Sequence, residues 1–160
     1  MSRNFYKVSL NELKKVININ ANDYKLYKLP QRSTENSAGY DFFLLEDIKI
    51  KPKEIKKIPT GIKAQMNEDE VLFIIIRSSL GTKHNITIAN QIGVIDSDYY
   101  NNKDNEGHIF IVIKNESDEE KVFKKGDRIA QGIFTKYLKV DSDETKEKRL
   151  GGFGSTEKGE

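Results

Sequence analysis

Four stretches of the chain place charged or hydroxyl side chains where apolar ones would be ordinary. In SAGYDFF, residues 37–43, Asp41 stands among aromatics. A lone carboxylate is costly to bury, so Asp41 either reaches solvent at a strand end or pairs with a cation. In IIIRSSLG, residues 74–81, an apolar run ends abruptly on Arg77, Ser78 and Ser79. Ser78 reads as an N-cap, with a short helical turn starting near Ser79. Free amides, a hydroxyl and a guanidinium fork at one point suit an anion, and an ordinary helix cap fits the same residues. In NQIGVIDSDYY, residues 90–100, Ile92, Val94 and Ile95 frame Gly93, and the run ends on Asp96, Asp98 and Tyr99. Gly93 inside a strand pattern predicts a bulge or a close approach of a ligand to the backbone. Asp96 can act as a base or a metal ligand, and Tyr99 can stack on a ring. A hairpin entry with turn aspartates is the plainer reading. The fourth stretch, RLGGFGSTEKGE, closes the sequence with Phe153, Gly154, Ser155 and Thr156. It lacks the lysine of a Walker A loop, and composition alone suits a disordered end.

These residues need a scaffold. The chain has 160 residues, 36% hydrophobic and 32% charged, which predicts one domain with a core of its own. The net charge of +2 gives no support for a broad nucleic-acid or membrane surface. Cysteine is absent, so disulfides and thiolate metal sites are excluded. His84 and His108 fit no metal-ligand spacing and read as surface or loop histidines. The first residues carry no apolar signal region, and no apolar stretch is long enough to span a bilayer. The expectation is a cytoplasmic protein, or one of the host cytosol if viral.

The elements read mostly as strands. Ser9 and Glu12 form a capping-box pattern ahead of a short helix over about residues 10–16. From Tyr24 onward the signals are β: residues 40–50, 71–79, 86–95, 108–115 and 121–134. In HIFIVIKN both alternating faces are apolar, so both are predicted to be covered. Short strands between frequent turns point to an all-β sandwich, jelly roll or barrel. Residues 101–107 read as a polar hairpin loop and 140–148 as a charged linker. The organisation read from this is one β domain, 1–147, and a glycine-rich arm, 148–160.

SAGYDFF, RSSLG, NQIGVIDSDYY, GDRIAQ and GGFGST occur in this order within residues 25–156. Together they resemble the five motifs of the homotrimeric dUTP diphosphatases. The resemblance implies a β jelly roll, three shared active sites per trimer, and conversion of dUTP and water to dUMP and diphosphate with Mg²⁺. It implies that Asp96 is the general base for the attacking water, with Asp41 close by, helping to hold that water and the neighbouring arginines. Arg77, Ser78, the Ser79 amide and Gln131 would hold the phosphates. Asn90, with Gly93, Ile95 and nearby backbone, would hold uracil, and Tyr99 would pack on the deoxyribose. Phe153 would stack on the base while Gly154, Ser155 and Thr156 wrap the terminal phosphates, the arm crossing to a neighbouring subunit. No protein metal ligand is implied, because Mg²⁺ sits on the triphosphate and water.

Three places depart from the pattern. Lys148 stands where the family has arginine, and Arg149 follows one residue late; Arg149 is the better phosphate partner. Glu157 stands where glycine is usual. Tyr100, Asn101 and Asn102 replace Arg-Gly after the third motif and lead into a longer loop. Two other readings share this fold. One is a dCTP deaminase. The other is a dUTP-gated binding protein, with loop 101–107 and the N-terminal helix as contact surfaces.

Overall fold

The computed structural model describes residues 3–149 and 151. Strand β1 (Asn4–Lys7) leads into helices α1 (Leu10–Lys14) and α2 (Ala21–Leu26). Next come β2 (Gln31–Arg32), β3 (Tyr40–Phe43), β4 (Ile48–Ile50), β5 (Ile55–Pro59), β6 (Ile62–Gln65) and β7 (Glu70–Ile76). Helix α3 (Ser78–His84) separates these from β8 (Ile86–Ile88) and β9 (Gly93–Asp96). The last strands are β10 (Phe110–Asn115), β11 (Lys121–Phe123) and β12 (Arg128–Lys136). A five-stranded sheet runs β2-β3-β12-β7-β9, a three-stranded sheet runs β5-β10-β8, and two ribbons pair β1 with β6 and β4 with β11. All of these pairings are antiparallel. The architecture is the expected all-β, jelly-roll-like one, without a closed barrel.

Alternation along the strands makes the core. Leu72 and Ile74 of β7, Phe42 of β3 and Ala130 of β12 face inward from the large sheet and are fully buried. Ile58, Ile86, Ile88, Ile111 and Ile113 answer them from the three-stranded sheet in one continuous cluster. Branched side chains suit the pleat and lose little rotamer freedom there. A satellite cluster of Val8, Leu13, Ile17, Ile19 and Leu45 fixes α1 to the body.

Several local expectations are corrected. The Ser9 hydroxyl caps α1 by accepting from the Glu12 amide at 3.1 Å, as the capping box requires. The reciprocal half comes from elsewhere: Glu106, not Glu12, accepts the Ser9 amide at 2.9 Å. Residues 21–26 are helical although β structure was expected from Tyr24. Asn20 accepts from the Asp23 amide at 2.8 Å and nucleates that turn as an N-cap. The run 86–95 is two strands in different sheets, joined by a corner in which Gln91 has φ 67°. In α3, Arg77 occupies the N-cap position and Ser78 is the first helical residue; no side chain caps that end.

His108 is no surface histidine. It is fully buried, and its Nε2 accepts the Gly61 amide at 2.9 Å. Its ring lies 4.3 Å from that of Phe110. Burial, reinforced by nearby Lys57 and opposed by Glu106, pushes its pKa from the ordinary 6.5 down to about 4. The unfolded chain therefore takes up a proton that the folded one refuses. This stabilising contribution is complete above pH 6.5 and is lost as the pH falls toward 4. At about 1.4 kcal/mol per unit it amounts to roughly 3 kcal/mol. Denaturant titrations at both pH values are expected to show that loss, and His108→Gln should remove it from the slope.

Candidate active site

Strand β3 brings Asp41 to an arginine cluster. Asp41 is only 5% exposed, yet its carboxylate is fully engaged. Arg77 Nε forms an ion pair with Oδ1 at 2.9 Å, Arg128 Nη1 donates to Oδ2 at 3.2 Å, and the Ser33 hydroxyl donates to Oδ2 at 2.6 Å. A bulge in β12 makes this possible. Arg128 pairs with Phe43 and Ala130 with Phe42, leaving Ile129 as the extra residue. Arg128 thereby shares a sheet face with Gln131, the cross-strand partner of Asp41. Sequence reasoning missed Arg128 and Ser33. The register shift that aims Arg128 is invisible in GDRIAQ itself.

Beside this cluster, β7 ends and α3 begins. Ser78 is exposed and Ser79 half-buried. A helix leaves its first-turn amides without internal acceptors, so those at Ser78 and Ser79 point out beside Arg77. Gln131 is held close by Gly39: a Cβ there would lie 2.1 Å from Gln131 Oε1. Arg77, the two serines and Gln131 therefore gather donors of the kind that suit an anion.

The third motif builds a different place. A cavity of about 230 Å³ opens between the sheets, lined by Asn90, Gly93, Ile95, Asp96, Tyr99 and Arg149, with Ile88, Phe110 and Val112 behind them. Gly93 is not a bulge. It pairs regularly with Ile74, and a Cβ on it would meet Ile74 Cβ at 3.1 Å. Asp96 is exposed at the cavity's mouth. Tyr99 is buried in a 3-10 turn, Ser97–Tyr99, and its hydroxyl donates to the His108 carbonyl at 2.8 Å. Burial raises its pKa, partly offset by a hydrogen bond from Asn105.

Arg149 folds back onto this cavity rather than leading the arm away. Its Nη2 lies 2.6 Å from Asp96 Oδ2 and its Nε 2.8 Å from Asp98 Oδ1. The guanidinium stacks 5.7 Å from the Tyr99 ring centre. Partial burial disfavours its charge, but Asp98 and Asp96 outweigh that and raise its pKa. Lys148 is exposed. Phe153, Gly154, Ser155, Thr156 and Glu157 lie outside the described residues, and so does most of the proposed arm.

The two half-sites do not meet within one chain. Asp41 lies on β3 and Asp96 on β9, with β12 and β7 between them. Asp41 aligns through Gln131 with Ile75, whereas Asp96 aligns with Val71. Three strand spacings and four residues of offset place the two carboxylates roughly 20 Å apart. Both lie on the outward face of the large sheet. Register sets Phe73, Ile75, Ile133 and Val94 on that face as well, and none of them is buried.

Fold and site together define a jelly-roll-like protein with a donor-rich corner at Arg77 and a ring-sized pocket between its two main sheets. A family model described as dUTPase matches residues 25–157, and the chain belongs to the dUTPase family. The deoxyuridine 5′-triphosphate nucleotidohydrolase of Lactococcus lactis is 53% identical over 130 residues, covering 80% of this chain and 87% of that protein. The crystal structure of the dUTPase from Streptococcus mutans is similar with a TM-score of 0.68 and 45% identity, covering 71% of this chain and 89% of that one. A mutant dUTPase from phage phi11 of S. aureus, which coordinates a structural Mg(II) ion, has a TM-score of 0.68 at 20% identity. It covers 92% of this chain and 98% of its own, and attests the fold.

Proposed function

We propose that this protein hydrolyses dUTP to dUMP and diphosphate. The observation that carries the reading is the pairing of Asp96, at the mouth of a ring-sized pocket, with an anion corner at Arg77 on the same sheet face. Uracil enters the pocket against Asn90 and the backbone of Gly93 and Ile95. Tyr99 lies against the deoxyribose, where a 2′-hydroxyl has no room. Asp96 takes a proton from a water in line with the α-phosphorus. Oxygen from that water bonds to phosphorus as the bond to the bridging oxygen breaks. Arg77, the Ser78 hydroxyl and the α3 amides stabilise the charge that collects on diphosphate. Gln131 lies at the phosphate end. Phe153, Gly154, Ser155 and Thr156 are assigned to closure over the bound nucleotide, and Arg149 to the terminal phosphate once it leaves Asp96.

Mg²⁺ fits this arrangement through the substrate. Among the described residues no group of three or more His, Asp or Glu side chains is placed to hold a metal. Asp41, Asp96 and Asp98 are already paired with arginines. The ion is therefore assigned to triphosphate oxygens and water, where it neutralises phosphate charge when bound.

We assign the protein to a homotrimer, a reading that the separation of the half-sites supports by calling for a neighbouring subunit. Asp41 of one subunit reaches an Asp96 only if a neighbour supplies it. The apolar face between them (Phe73, Ile75, Ile133 and Val94) offers the contact that would bring it there. Diphosphate release across the four dNTPs and UTP with Mg²⁺, on the full chain and on one truncated before Gly151, tests the function. Selective turnover of dUTP, lost on truncation, is expected. Comparable turnover of dTTP or UTP overturns the pocket assignment. Sedimentation of the same protein tests the trimer.

A further inference from the structure

We infer that Asn105 is a positioning residue: it fixes the seat of Tyr99 and so sets the rejection of a ribonucleotide. The inference rests on the reading of Tyr99 as the wall beside the deoxyribose. Asn105 has no place in that reading, and the loop carrying it looks in sequence like a solvated excursion.

The loop is not solvated slack. Asn105 Nδ2 donates to the Tyr99 hydroxyl at 2.8 Å, while that hydroxyl donates to the His108 carbonyl. Both ends of the phenol's hydrogen bonding are therefore spoken for. Asn105 is itself held: its Oδ1 accepts from Asn102 Nδ2 at 2.8 Å and from the Gly107 amide at 3.1 Å. Asn102 Nδ2 reaches on to the Tyr99 carbonyl at 2.9 Å. Gly107, at φ 82°, lets the loop close over that carbonyl; a Cβ there would lie 2.7 Å from it.

A second fastening joins the loop to the start of the fold. Glu106 accepts from both the amide and the hydroxyl of Ser9, and Lys63 lies 3.5 Å away. Burial opposes ionisation of Glu106, but the Ser9 hydrogen bonds and Lys63 outweigh it and lower its pKa. The loop is thus pinned to α1 at one end and to Tyr99 at the other.

The physical consequence is selectivity. A wall rejects an added hydroxyl only if it cannot yield. An aromatic ring held by its hydroxyl cannot swing aside without breaking two hydrogen bonds in a buried place. Asn105 supplies the only one of these two that comes from a side chain.

Asn105→Asp isolates that donor. A carboxylate keeps the acceptor contacts to Asn102 and Gly107 but cannot donate to the Tyr99 hydroxyl. In steady-state assays the ratio of kcat/KM for dUTP to that for UTP is expected to fall about tenfold. Most of the change should lie in KM, with kcat for dUTP within about threefold and the melting temperature little moved. Tyr99→Phe removes that bond from the other side, together with the one to the His108 carbonyl. It should give at least as large a loss, and the double variant should lose no more than Tyr99→Phe alone.

An unchanged ratio in Asn105→Asp, with a collapsed ratio in Tyr99→Ala, overturns the role of Asn105 and leaves the reading of Tyr99 intact. An unchanged ratio in Tyr99→Ala sinks that reading and the inference with it. Full additivity in the double variant also overturns the inference. Should Asn105→Asp fail to fold, Tyr99→Phe carries the test, and an unchanged ratio there is decisive against it.

Discussion

Asp96→Asn is expected to abolish dUTP turnover while leaving nucleotide binding within a few-fold. The amide has the same shape but cannot take a proton from water. Loss of a positioned base lowers kcat by about 10²–10⁴. Binding survives because the pocket walls at Asn90, Ile95 and Tyr99 are untouched. Arg149 also loses the charge of one of its two carboxylate partners, which frees it for phosphate. Single-turnover diphosphate release and calorimetric titration of the variant with dUTP separate chemistry from binding. A kcat within tenfold of the parent would remove Asp96 from the role of base. Asp98→Asn is the companion control: it breaks only the Arg149 Nε contact and should retain most of the activity.

The next largest effect is expected from Asp41→Asn. Asp41 binds no substrate atom in this reading; it aligns two guanidinium groups. An asparagine offers one carbonyl oxygen where the carboxylate offers two, and its NH₂ faces a cation. Arg77 and Arg128 would turn outward, and the corner opposite the pocket would lose its fixed charge. A drop of about 10² in kcat/KM follows from losing preorganised stabilisation of the leaving group. Folding should weaken by about 1–3 kcal/mol, because a nearly buried hydrogen-bonded group loses its partners. Denaturant melts beside kinetics measure both. If Arg77→Ala in the Asp41→Asn background costs as much as it does alone, the two residues do not act as a unit.

The core and the site were legible to different degrees, for physical reasons. Ile109, Ile111 and Ile113 alternate, and the chain buries them fully. Asp41 among aromatics announced a partner, and Arg77 is that partner. The signal for α2 was present in Asn20 and Asp23 but lay under the β propensity of tyrosines. Contacts between distant segments left no local trace. Nothing in SLNE at residues 9–12 marks Glu106 as the acceptor of the Ser9 amide. The bulge that turns Arg128 toward Asp41 is a property of two strands in register, and no single stretch encodes it. His108 is hidden for the same reason: the amide that its ring accepts is that of Gly61, 47 residues away in sequence.

The tie between Ser9 and Glu106 has a bearing on how the molecule comes to exist. It spans 97 residues. Closing so wide an interval is entropically unfavourable, so it belongs to the late events of folding. During synthesis at about 5–20 residues per second, the first helix emerges some 5–20 seconds before its distant acceptor. A newborn chain therefore lacks the fastening of loop 101–107, and on the proposed role of Tyr99 the discrimination against ribonucleotides would be among the last properties it acquires.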